Sequence, residues 1–438
     1  ESSRIKQISL NILLVMTGVL YVRPGLSQKA LTADSIDHIT RQVADWQLRS
    51  WATEGWPHPK YDWTNGAAYA GLLAFARDSK DPSYFDFLRN IGRELSWTTG
   101  PRRGHADDYC VAQTFGQLSM IFHEPSWILP FRRQADSILS WPHTESLEFI
   151  NGVGDREWAW CDALFMGPPA FAYLSSATKD LKYLDSACAW WWKTTDYLYD
   201  REEHLYYRDS HFFDQREKNG KKVFWSRGNG WVMGGLVRML ENMPKNYPAK
   251  PRFETLYRDM AAKIIQLQQP DGTWHASLLD PEAYPVKETS GTGFYCYALA
   301  WGINHKLLKK AEYLPSVLKA WAALSACVHP DGKLGNVQHI GAKPESVTAD
   351  DTESYGVGAF LLAGSEIYRM AAFESPHVKV TVSNPSSFYR SCETVDLNVQ
   401  DILKAIDSPA QLAQKDSLLY DPPFHMQRVR MMSVMDGV

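Results

Sequence analysis

The residues best suited to chemistry are acids set among rings. Asp162 lies in the run Trp158-Ala159-Trp160-Cys161-Asp162-Ala163-Leu164-Phe165-Met166. A carboxylate in apolar surroundings loses solvation that its neutral form does not need, so its pKa rises. It then keeps a proton near neutral pH, which is what a general acid requires. A helix N-cap is the competing use of an Asp at such a place. Asp107 and Asp108 form a second acidic position. Two carboxylates on neighbouring helix starts are the usual equipment for acid–base work on sugars. Capping accounts for one of two adjacent acids and leaves the other to explain.

A third cluster is Trp225-Ser226-Arg227-Gly228-Asn229-Gly230-Trp231. A guanidinium fork between ring platforms suits a planar anion or a sugar. Arg208 and His211 lie in the stretch before it; a lone loop His serves as readily as a hydrogen-bonded structural residue. Further polar candidates are Asp62, Trp63, Thr64, His105, Arg156, Asn229, Glu288, Thr289, Ser290, Thr292, Thr352, Glu353 and Tyr355. Nucleotide-binding loops, H-E-x-x-H and G-x-S-x-G are absent from the sequence, which removes several enzyme classes.

Helices must hold these groups. Six runs are apolar nearly all round: residues 64–77, 108–122, 160–174, 228–240, 290–302 and 354–368. Such a run marks a helix buried on every side. Between them lie six amphipathic segments: 35–49, 82–97, 125–141, 181–199, 253–268 and 311–328. In the fifth, Leu256, Met260, Ile264 and Leu267 recur at helical spacing. Alternating buried and amphipathic helices imply stacked hairpins. The expected fold is therefore all-α, a six-hairpin (α/α)6 barrel; an open solenoid is the competing arrangement. Pro270-Asp271-Gly272 and Pro330-Asp331-Gly332 carry the same turn chemistry at the same place in two units. The inner-helix middles are apolar, so chemistry belongs at their starts.

The 438 residues are 45% hydrophobic, enough for a large core, with a net charge of −4 and no basic stripe. Nucleic acid is thus not an expected partner. Seventeen Trp and 21 Tyr supply the flat faces on which sugar rings stack, although core filling uses the same residues. The six Cys are scattered like buried small hydrophobes and form no C-x-x-C pair, so no metal site is expected. Arg4 and Lys6 precede an apolar run, Ile8 to Val22, and then small residues at Gly25 and Ser27. Residues 1–28 read as an export signal, which implies a periplasmic or secreted protein with no membrane insertion after its removal. Residues 29–372 form the barrel. Residues 373–438 read as a short β-rich extension or the start of a truncated accessory domain, because residues 377–382 alternate like a strand.

Four strings together resemble the unsaturated rhamnogalacturonyl hydrolases of glycoside hydrolase family 105. The neighbouring unsaturated glucuronyl hydrolases of family 88 are similar. The strings are His105 to Cys110, Trp160 to Met166, Trp225 to Trp231 and Tyr355 to Phe360, within a match from about Asp34 to Met370. The resemblance implies the six-hairpin barrel. It also implies Asp162 as proton donor, Asp108 rather than Asp107 as second carboxylate, and sugar contacts at Arg227, near Asn151 to Asp155, and around Arg208 and His211. Trp63, Thr64, Trp158, Trp225, Trp231, Thr292 and Tyr355 complete the expected lining. The stretch Phe149 to Asp155 departs from the founding members. The implied reaction hydrates a C4=C5 double bond on a terminal uronic acid of an oligosaccharide, with no metal or organic cofactor. Hydrolysis at the anomeric carbon by the same two acids, or a non-catalytic carbohydrate-binding surface protein, are the alternatives.

Overall fold

The computed structural model describes residues 32–79 and 81–374. The expected signal segment and the alternating run at 377–382 lie outside the described residues. In chain order the helices are α1 (Ala33–Thr53), α2 (Trp63–Asp78), α3 (Ser83–Glu94), α4 (Ala112–Ile121), α5 (Leu129–Leu139), α6 (Ala163–Met166), α7 (Pro168–Thr178), α8 (Leu181–Leu198), α9 (Ser226–Asn242), α10 (Lys250–Gln266), α11 (Thr289–Asn304), α12 (Lys310–Ser325) and α13 (Ser354–Glu374).

Two layers separate by burial. On α11 every residue from Thr289 to Ile303 is buried. On α10 the buried set is a stripe of Phe253, Leu256, Tyr257, Met260, Ala261 and Ile264. The same contrast sorts α2, α4, α7, α9, α11 and α13 inside, and α1, α3, α5, α8, α10 and α12 outside. Each inner helix packs on the next, and α13 returns to α2. That last contact closes the ring, whereas a solenoid keeps its terminal repeats apart. Gly71 and Gly358 make the closure possible. A Cβ on Gly71 would meet the Gly358 carbonyl, and one on Gly358 the Ala67 carbonyl.

The inner-helix starts gather at one end. Trp63 stacks on Tyr355, Gly66 lies against Cys110, and Cys161 lies against Gly228. Thr289 N–H donates to the Asn336 carbonyl in the connection between α12 and α13. The third inner helix is broken after Met166, because Gly167 is followed by Pro168 and Pro169, and proline has no N–H to continue a helix. This frees α6 as a separate turn directly after Asp162. A two-stranded hairpin after α8, β1 (Tyr199–Asp200) on β2 (Leu205–Tyr206), was not foreseen from the sequence. It turns the chain back toward the mouth. Asn229 of α9 clamps it there through both Tyr206 backbone groups, at 2.8 and 3.0 Å.

Candidate active site

Asp162 precedes α6 and makes no capping hydrogen bond. It is 9% exposed. Its neighbours are the Cys161 thiol, 3.4 Å from Oδ2, and Arg208 Nε, 3.8 Å from the same oxygen. Burial raises its pKa, while Arg208, Cys161 and Arg227 pull it partly back. Its strand of chain is fixed on both sides. Cys161 N–H donates to the Arg208 carbonyl at 2.8 Å, and the Thr194 hydroxyl donates to the Trp158 carbonyl at 2.6 Å.

The two adjacent acids part company in a 3-10 turn, Ala106–Tyr109. Asp108 turns inward and is enclosed by Arg102. The Arg102 backbone N–H donates to Oδ2 at 2.7 Å, and its Nε and Nη2 donate to Oδ1 at 3.0 and 2.6 Å. Asp107 is not part of this enclosure and lies close enough to Asp162 to feel its charge. The His105 ring lies beside Asp107, with Nδ1 at 3.7 Å. Burial pushes the Asp107 carboxyl up to about 8; the Asp162 charge adds to the rise, and Arg102 opposes it. Both acids are thus shifted toward their protonated forms by burial. Burial lowers His105 to about 4, so its ring is neutral. That ring lies 4.9 Å from Trp160.

One wall of the mouth is Phe149, whose ring carries the Arg208 guanidinium at 4.7 Å. Asp209 holds Arg208 by Nη1 at 2.5 Å and the exposed His211 by Nδ1 at 3.0 Å. Asn151 is exposed in left-handed backbone (φ 51°) and offers its carbonyl to Arg156. The opposite wall is built from Trp63, Tyr355 and Trp231. Arg227 is buried between the Trp225 and Tyr355 rings and donates to the carbonyls of Gln338 and His339.

A glycosyl hydrolase family 88 model matches residues 35–371. The chain belongs to glycoside hydrolase family 88. A relative from Formosa agariphila, named unsaturated 3S-rhamnoglycuronyl hydrolase, is 38% identical over 84% of this chain and 99% of its own. A second of the same name, from Alteromonas sp. (strain LOR), is 36% identical over 70% of this chain and 77% of its own. A solved structure named as a polysaccharide lyase superposes with a TM-score of 0.70 at 30% identity, over 78% of this chain and 99% of that one.

Within this family 88 barrel the structure brings Asp107, Asp162, Arg208 and His211 to one side of the mouth, and Trp63, Tyr355 and Trp231 to the other. Other expected contacts are occupied inside the protein. The Thr64 hydroxyl donates to the α2 cap Asp62 at 2.7 Å. The Thr292 hydroxyl donates to the Glu288 carbonyl at 2.6 Å. Trp158 donates to the Tyr109 hydroxyl at 2.7 Å and packs on Phe171 and Trp190. Trp225 donates to Gln338 Oε1 at 2.9 Å. Sequence reasoning gave no site role to Phe149, Trp160, Asp209 or Arg102. Phe149 and Trp160 carried a signal, since both stand in strings that had been singled out.

Proposed function

We propose that this enzyme removes a terminal 4,5-unsaturated uronic acid from lyase-generated oligosaccharides, with Asp162 as acid and Asp107 as the second carboxylate. The reading is carried by this pair: both acids are raised by burial, the Asp162 charge raises Asp107 further, and Asp107 lacks the enclosing donors that hold Asp108. Asp162 gives its proton to C4, and the C4=C5 electrons form the new C4–H bond. Positive charge on C5 and the ring oxygen is then met by a water oxygen. That water returns a proton to Asp162. The hemiketal at C5 opens to a ketone, and the hemiacetal at C1 releases the remaining sugar as its alcohol. One water is consumed. Asp107 orients the water or a ring hydroxyl. In this proposal it takes the role expected of Asp108, whose lone pairs Arg102 already fills.

The names of the two relatives make an unsaturated uronic acid joined to rhamnose the first disaccharide to offer. The ultraviolet absorbance of the conjugated C4=C5 bond is followed in time. Hydration removes it. Cleavage at the anomeric carbon releases the sugar and leaves the absorbance, and a pure binding protein changes neither. Steady absorbance with every lyase product tried would exclude the proposal. We also propose export, to the periplasm or beyond, on the strength of the charged-then-apolar N-terminal run.

A further inference from the structure

Arg208 is held on three sides and left open on the fourth. Its Nη1 is bound by Asp209, its plane lies on Phe149, and its backbone carbonyl accepts from Cys161. Its Nε is buried and has no hydrogen-bond partner. Buried donors are rarely left so, and each such case calls for an explanation. The unpartnered Nε is also the Arg208 atom that stands 3.8 Å from Asp162 Oδ2, too long for a hydrogen bond. A sugar clamp would present its fork to the cleft, but this side chain is only 17% exposed.

We propose that Arg208 is a positioning residue for the acid: its Nε closes onto Asp162 Oδ2 once Asp162 has given its proton to C4, and withdraws when water returns it. The proposal rests on the hydration reading above. A neutral carboxyl gains little from a guanidinium, whereas a carboxylate forms a short charge-assisted bond with one. The donor therefore strengthens as charge develops, and it is already in place. Asp209 offsets part of the Arg208 charge, which weakens the pull of Arg208 on the resting acid. The other groups facing Asp162 are Asp107 from the turn before α4, Arg227 from α9 and the Cys161 thiol. Neutral His105 lies beside Asp107.

The test compares wild type with Arg208→Met and Arg208→Lys. Arg208→Met is expected to lower kcat about 100-fold, with KM within about threefold. Its alkaline limb in kcat against pH is expected to move up by about one unit. Arg208→Lys keeps a cation, so it recovers part of kcat and shows a smaller move; it also carries the test if Arg208→Met does not fold. A rise in KM with an unmoved limb makes Arg208 a substrate clamp and overturns the proposal. Carbon-13 NMR of the Asp162 carboxyl in substrate-free protein gives an independent readout. Titration at higher pH in Arg208→Met is expected, and an unchanged titration overturns the proposal. Failure of the hydration reading would look different: wild type would leave the double bond intact while this titration still moved.

Discussion

The two walls of the mouth handle charge differently. Around the starts of α9, α11 and α13, charges are committed inside the protein. Arg227 binds two carbonyls and leaves only Nε over. Glu288 takes the Ser290 and Gly291 amides at 2.9 and 2.7 Å. Around the starts of α4 and α6, the charged atoms that matter are uncommitted: the Asp107 carboxylate, the Asp162 carboxylate and Arg208 Nε. The first wall is scaffold: Trp231 and Tyr355 are fully buried in it, and of its rings only Trp63 is partly exposed. The second keeps protonation open, and open protonation is what acid catalysis uses.

Replacing the acid gives the largest expected effect. Asp162→Asn is expected to lose about 10²–10⁴-fold in kcat while still binding oligosaccharide; near-normal turnover would move the acid elsewhere. Next comes the committed wall. Arg227→Ala removes the donor to the Gln338 and His339 carbonyls and empties the space between the Trp225 and Tyr355 rings, so a loss of about 1–3 kcal/mol is expected in denaturant unfolding. An unchanged midpoint would show that the wall is not scaffold. A smaller effect of opposite sign is expected at Asp107. Its carboxyl is raised in the folded state, so folding favours its protonated form. That contribution is present at low pH and is lost as pH rises through about 8. Asp107→Asn removes the penalty at neutral pH, and a melting temperature higher by about 1–4 °C is expected, with a flatter dependence of stability on pH. A lower melting temperature at neutral pH would deny that the charge is strained.

The barrel was legible because burial writes itself into composition. Each of the twelve expected helical segments overlaps an observed helix, and even the break at Gly167-Pro168-Pro169 lay in plain sight. The burial of Asp162 was legible for the same reason, since its neighbours in sequence are buried with it. The choice between Asp107 and Asp108 was not. The two differ by one step around a 3-10 turn, and Arg102, which encloses Asp108 and not Asp107, carries no mark in the sequence that it folds back. Arg227 looked like a ligand clamp because its true partners are backbone carbonyls more than a hundred residues away, and every sequence has carbonyls. That Arg208 Nε is left without a hydrogen-bond partner is a matter of geometry alone, and no sequence signal marks it.

The pairing of Asp107 with Asp162 is tested most directly by the initial rate of absorbance loss at saturating unsaturated disaccharide, with Asp107→Asn and Asp108→Asn measured side by side. Asp107→Asn is expected to fall about 100-fold or more. Asp108→Asn is expected to stay within about tenfold of wild type, its cost appearing instead as lower stability from the loosened Arg102 contact. The opposite ranking, with Asp108→Asn inactive and Asp107→Asn near wild type, would contradict the pairing.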